Sequence, residues 1–218
     1  MSGARVVAVT YDTLAAVHRR TATTTFWELD PLDDAYTGAY PEADKAAWLS
    51  SRALEQGVVG FSIVRSAVES TATEGAFATA LFCPAADAPG AVRMPTAPIS
   101  RDAWVVTSLH IDSAAQGRGW ESVLLDAVIM AALERGVQAL EMFGVVPGGE
   151  ATSEMCAGIV RRAPEIGLVE VPVLESAGFM VVRDHPVLPR LRIDLPPAHD
   201  LLSARDMAEL LAEVPAAR

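Results

Sequence analysis

Cysteine is nearly absent: Cys83 and Cys156 are the two in 218 residues. Neither sits in a CxxC or Cys/His spacing, which excludes a disulfide scaffold and a thiolate metal site. No metal is expected. Positive charge is also scarce, since 17 Lys and Arg face 28 Asp and Glu, a formal net charge of −11. A phosphate backbone requires clustered Lys and Arg to displace its counterions, so nucleic acid is excluded as a partner. The acidic balance suits a cationic amine or a basic protein segment. Long apolar runs are missing too. The longest apolar helical stretch, Val123–Leu133, contains Asp126 and ends in Glu134–Arg135, too short and too charged to span a bilayer. The opening MSGARVVAVTYD has one Arg and then a short apolar strand, which is no secretory signal. A cytoplasmic protein without membrane association is expected.

What is present is an alanine-rich chain, 51% hydrophobic and 21% charged, able to bury a sizeable core as one domain over residues 1–218. The patterning predicts strands at Arg5–Thr10, Val58–Val64, Gly75–Phe82, Asp102–Ile111, Val137–Phe143, Phe179–Arg183 and Arg190–Leu195. A Ser/Thr/Glu-rich turn would join the second and third. Helices are expected at Tyr11–Arg20, Pro41–Gln56, Trp120–Arg135 and Leu168–Ala177, with an amphipathic C-terminal helix at 199–214. Residues 84–100, with four prolines, and Gly144–Gly158 read as loops. The order implies one α/β sheet with helices on both faces.

The chemistry-bearing segment is Gln116-Gly117-Arg118-Gly119, a turn joining a strand to a helix. Free amide N–H groups and the helix dipole make such a start an anion site. Glycine lets the backbone close on a phosphate, and Arg118 adds a donor. A tight turn with no ligand is the other reading.

The stretch LHIDSAAQGRGWESVLL resembles the cofactor signature of the GNAT superfamily of N-acetyltransferases, where an apolar strand enters Q/R-x-x-G-x-G/A and a Leu-rich helix follows. Val173-Leu174-Glu175-Ser176-Ala177-Gly178-Phe179 is similar to that family's helix–Gly-Phe–strand segment, and VQALEMF to its fifth strand. The likeness covers residues 102–195, the expected cofactor-binding core. It implies a GNAT-like domain whose mixed, mostly antiparallel sheet is splayed between strands four and five. It further implies acetyl-CoA as acyl donor, its pantetheine arm on Leu109, His110 and Ile111. The diphosphate would lie on Gln116, Gly117, Arg118, Gly119, Trp120, Glu121 and Ser122.

The sequence departs from the family pattern in three places. Glu121 replaces the signature's last Gly or Ala. A carboxylate about 6 Å from a phosphate charge costs about 3 kcal/mol at an effective dielectric near 20, and under about 1 kcal/mol in water. Either Glu121 points outward from the first helical turn, or it weakens cofactor binding. The family's tyrosine acid is Leu174 here, with Ser176 the next polar side chain. Strand four carries Val105 and Thr107 where some relatives have a base. Candidate catalytic groups are therefore Glu141 on strand five, Glu28 within the aromatic-acid cluster Phe26-Trp27-Glu28, and Ser176; His110 reads as a packing histidine. Arg183, His185, Arg190 and Arg192 form a basic island whose bland account is a solvated strand pair.

The resemblance implies a bacterial, acetyl-CoA-dependent N-acetyltransferase acting on a primary amine of a small molecule or protein. A second expectation is a catalytically degenerate GNAT-fold protein that binds CoA or a partner in a regulatory role. A third is an interaction module that forms a homodimer or holds a partner through the C-terminal helix.

Overall fold

Short runs of valine, alanine and leucine punctuated by glycine and proline become the strands of one sheet. The computed structural model describes residues 3–29, 40–66 and 75–212. Strands β1 (Ala4–Val9), β2 (Gly60–Arg65), β3 (Ala78–Pro84) and β4 (Ala103–Ile111) pair antiparallel in succession. Strand β5 (Ala139–Val145) runs parallel to β4, and β7 (Met180–Arg183) and β8 (Arg190–Asp194) give the order β1-β2-β3-β4-β5-β8-β7. The two-residue β6 (Val169–Glu170) pairs with the end of β5.

The β4–β5 pair is where the sheet opens. Its register covers only Ala103↔Ala139, Trp104↔Leu140 and Val105↔Glu141. The cause lies on the other edge of β4. Leu81 of β3 faces Ser108 but Phe82 faces Val106, so Thr107 is one residue too many. A bulge bends its strand and ends regular pairing. Past Thr107 the two parallel strands part.

The two faces of the sheet differ in chemistry. On one, α3 (Trp120–Glu134) buries Val123, Leu124, Val128 and Ile129 against Ala80, Phe82, Val106, Leu109, Leu140 and Met142. Helices α6 (Val171–Ser176) and α7 (Ala204–Leu211) join it. The other face buries Ser62, Thr79, Ser108, His110 and Glu141. It is covered by α1 (Arg19–Thr23), α2 (Pro41–Gln56), α4 (Glu154–Arg161) and α5 (Ala163–Ile166). Polar groups in a core persist only with partners, and most of these side chains are hydrogen-bonded.

Several boundaries differ from the expected ones. The helix read at Tyr11–Arg20 is a 3-10 turn at Tyr11–Thr13 and then α1. The His18 N–H donates to the Thr79 hydroxyl at 2.8 Å, and the His18 ring accepts the Arg20 N–H at 3.2 Å, so the helix begins only after His18. The loop read at Gly144–Gly158 contains the end of β5 and the start of α4, capped by Ser153, whose hydroxyl accepts the Cys156 N–H at 3.2 Å. Leu168–Ala177 divides into β6 and α6. The C-terminal helix is shorter than expected, and the rest of 199–214 beyond Ala212 lies outside the described residues, as does the turn at 67–74 between β2 and β3. Its apolar side chains Met207 and Leu210, with Leu202 just ahead of it, pack on the chain's own core. Part of the apolar face expected to hold a partner is thus covered by the chain itself.

Trp27 anchors the polar side. It is wholly buried, stacks on Phe143 with centroids 5.8 Å apart, and its indole N–H donates to the Ile166 carbonyl at 2.8 Å. Trp27→Ala should lower unfolding free energy by about 3–5 kcal/mol. Trp27→Phe, which removes the N–H and leaves a smaller ring in the same space, should cost about 1–3 kcal/mol. Urea midpoints of the two variants check both.

Candidate functional site

The turn after β4 is built for backbone access. Gly117 and Gly119 have φ of 72° and 77°, a region glycine enters without Cβ strain. The first α3 bond is Val123 N–H to the Gly119 carbonyl at 3.3 Å. The amides of Trp120, Glu121 and Ser122 therefore lie ahead of the intrahelical ladder, at the positive end of the dipole. Trp120 fixes the turn from below: it is fully buried, and its indole N–H donates to the Leu210 carbonyl at 3.0 Å. The Leu210 side chain covers Gly119, 3.2 Å from where a Cβ would stand. Helix α7 is thus a clamp on the turn.

Beside this turn is a cleft of about 500 Å³. Gln116 and Glu121 line it on the α3 side of the sheet, Arg20 and Pro164 on the α1 side, and Leu109, Ile111 and Val169 between them. The cleft passes through the sheet where β4 and β5 have parted. Glu121 is half-buried and faces into this space rather than outward. Gly117, Arg118, Gly119, Trp120 and Ser122 are not part of the lining.

Main-chain directions refine which groups a ligand could meet. The Asp112 N–H donates to the Phe77 carbonyl, just before β3, and the Leu109 N–H points the other way, to the Gly167 carbonyl at 2.9 Å. Strand alternation then sends the His110 amide toward β3 and that of Ile111 into the gap. Of the expected trio Leu109, His110 and Ile111, His110 offers no main-chain group to the cleft, and the Leu109 N–H is already engaged. The inner end of the gap is stitched by residues 165–167. The Glu165 carbonyl accepts from the Thr24 hydroxyl at 2.9 Å and from His110 Nε2 at 2.9 Å, and the Ile166 carbonyl accepts from Trp27.

The candidate catalytic side chains are not brought together. Glu141 is wholly buried on the α1 face, bound by Arg190 at 2.9 Å and Arg192 at 3.5 Å, and accepts the Ser100 N–H at 3.1 Å. Arg192 also binds Asp102 at 2.8 Å. The basic island thus serves in part as the counter-charge for a buried acid. Glu28 is buried against Lys45 at 2.5 Å, each side chain 1% exposed, and Phe26 and Trp27 beside it are core. The Ser176 hydroxyl donates to the Val173 carbonyl at 2.7 Å, within its own helix. None of the three lines the cleft. Two charged side chains that sequence reasoning passed over do: Arg20 and Glu170. Glu170 belongs to a strand of two residues, too short to show a period.

His110 and His18 stack in parallel, centroids 5.7 Å apart. A carbonyl only accepts, so His110 Nε2 carries the proton toward Glu165, and its Nδ1 accepts from the Thr21 hydroxyl at 2.9 Å. Likewise His18 Nδ1 accepts from Arg20, and its Nε2–H donates to Asp112 at 3.0 Å. Burial lowers the pKa of both, that of His110 to about 4.

No family model matches the sequence, and neither does any curated protein. Solved structures do align with the fold. A candidate acetyltransferase from Acinetobacter baylyi gives a TM-score of 0.51 at 14% identity, over 91% of this chain and 95% of its own. A candidate acetyltransferase from Salmonella typhimurium, solved with its cofactor acetyl-CoA, gives 0.50 at 15% identity, over 93% and 99%. A candidate GNAT-family acetyltransferase from Desulfovibrio desulfuricans gives 0.45 at 16% identity, over 89% and 99%. The chain has the GNAT fold. Within that fold, the splay between β4 and β5 and the glycine turn before α3 stand where the sequence resemblance placed them. Among the described residues no helix is long and apolar enough to cross a membrane, and no cluster of His, Cys, Asp and Glu could hold a metal.

The buried histidines make stability depend on pH. The folded-state pKa of His110 lies below its ordinary 6.5, so the unfolded chain takes the proton first. Stability is whole above 6.5 and falls as pH drops toward about 4, by about 1.4 kcal/mol per unit for one proton. Urea unfolding at pH 7.5 and 5.0 should show this loss, and His110→Gln should flatten it, leaving the smaller part due to His18.

Proposed function

We propose that the chain is an acyl-CoA-dependent N-acyltransferase that takes acetyl from acetyl-CoA and acts by direct attack of a primary amine. The observation that carries this reading is the cleft crossing the sheet at the β4–β5 gap, with a glycine turn and helix N-terminus at one mouth. A diphosphate would lie on the amides of residues 117–122, and a pantetheine arm would extend along the gap-facing groups of Leu109 and Ile111. The Leu109 carbonyl and the Ile111 N–H are the β4 groups that point there, and the Ile111 N–H would polarise the thioester carbonyl as an oxyanion-hole donor. Val146, Pro147, Gly148, Val160, Ala163 and Pro164 of one chain segment line this cleft of about 500 Å³, a bounded space that favours a small-molecule amine over a residue of a folded protein.

Two observations favour a second reading, a GNAT-fold protein that binds CoA without transferring from it. Glu121 faces the cleft, and the Leu109 amide is occupied by Gly167. Such a protein would act in a regulatory role.

Acetyl-CoA at about 100 times its dissociation constant should stabilise the fold by about 2.7 kcal/mol. At about 2–4 °C per kcal/mol for a chain of this size, Tm should rise by about 5–10 °C. No shift with millimolar acetyl-CoA or CoA removes both readings. Glu121→Gln separates them. In a working transferase the loss of one partly solvated charge should tighten CoA binding about three- to tenfold at low salt, by calorimetry. A gain beyond about a hundredfold would mark the native turn as degenerate.

A further inference from the structure

The α1-side mouth of the cleft carries two charged side chains of opposite sign, and neither forms an ion pair among the described residues. Glu170 follows Val169, which is buried in the α3-side core, while Leu168 before it packs with Trp27 and Phe143 on the other face. Alternation therefore turns Glu170 to the α1 side, where it is exposed and lines the cleft. Its backbone partner is Val145, at the edge of the gap. Arg20 stands on α1 at the same mouth. Its guanidinium makes one hydrogen bond, to the Pro164 carbonyl at 3.3 Å, leaving most of its donors for another group. It is the one cation among the described lining residues.

From this juxtaposition we infer that the acceptor is a small amino acid, its ammonium received by Glu170 and its carboxylate by Arg20. The inference rests on the proposed acyl transfer and adds its substrate class and its proton acceptor. A planar guanidinium matches a carboxylate in a two-bond fork. A phosphate monoester would call for more positive charge than this mouth offers. The remaining walls, Val160, Ala163, Pro164 and Pro147, are apolar and suit a modest side chain. Glu28 and Glu141 cannot take the amine's proton, being tied to Lys45 and to two arginines away from the cleft.

The step balances as follows. The Glu170 carboxylate removes one proton from the ammonium, and the neutral nitrogen attacks the thioester carbonyl carbon. The C–N bond forms, the tetrahedral intermediate collapses, and the C–S bond breaks with its electron pair on sulfur. The second nitrogen proton goes to the departing thiolate, giving amide and free thiol, and Glu170 returns its proton to water.

The test compares matched acceptors that differ only in the carboxylate: serine with ethanolamine, and phenylalanine with phenethylamine. Thiol release from acetyl-CoA is followed alongside calorimetric binding of acetyl-CoA. We expect kcat/KM at least tenfold higher for the amino acid in one pair or both. Arg20→Gln should erase that preference through KM and leave acetyl-CoA affinity unchanged, whereas Arg20→Lys should keep part of it. Glu170→Gln should lower kcat by about 10²–10⁴, again without changing acetyl-CoA affinity. Equal or better turnover of the decarboxylated amines overturns the inference. So does no turnover of any of the four while acetyl-CoA binds, a loss of acetyl-CoA affinity in Arg20→Gln, or an unchanged kcat in Glu170→Gln. Failure of the native protein to bind acetyl-CoA would instead sink the transferase reading, and this inference with it.

Discussion

One surplus residue shapes the molecule. With Thr107 unmatched against β3, β4 cannot keep both of its edges in register, and its parallel contact with β5 stops at Val105. Backbone groups that would have paired across the sheet are left facing a gap, and unpaired N–H and C=O groups in an interior must find partners elsewhere. The rest of the architecture answers that demand. The Gly167 carbonyl takes the Leu109 N–H, and β6 takes the end of β5. What stays open between β4 and β6 is the cleft.

The chemistry of the two sheet faces follows from the same opening. On the α3 side the strands meet a helix rich in Val, Leu and Ala, and burial there is ordinary hydrophobic packing. On the α1 side the segment 163–168 reaches into the gap, and its carbonyls are held by a threonine and a tryptophan that follow α1 and by a histidine of β4. The Glu165 carbonyl has two donors and keeps one if the other is lost, whereas removing the Trp27 N–H takes away the side-chain donor of the Ile166 carbonyl, which costs more than the bond itself contributed. The buried pairs Glu28–Lys45 and Glu141–Arg190 belong to this face too. Their carboxylates hold the core together; Glu170, exposed at the cleft and without an ion pair among the described residues, is not tied up in that way.

Local features were legible in the sequence, and distant pairings were not. The turn at 116–119 could be read because glycine at Gly117 and Gly119 announces a backbone other residues avoid, and because the alanine- and leucine-rich run after it is a strong helix former. The element order of residues 102–195 followed from the same kind of signal, apart from α4, α5 and the two-residue β6. There Gly148-Gly149 masked the Ser153–Glu154 start, a cap signal that was available. The roles of Glu28 and Glu141 were illegible, because each depends on a cation that only the tertiary fold brings near. No spacing rule connects Glu141 with Arg190. Arg20 and Glu170 were overlooked for a similar reason: they converge at one mouth only after the chain between them has wrapped the sheet.

The contact of α7 with the glycine turn ties two distant stretches of chain into one thermodynamic unit. Trp120 and Leu210 share a hydrogen bond, and Leu210 roofs Gly119. Linkage is reciprocal. Any molecule that binds residues 117–122 more tightly when that helix is docked must therefore lower the population in which residues 204–211 have peeled from the core, and peeling must weaken the molecule's grip by the same factor. The last helix is a remote handle on the first atoms a donor would touch.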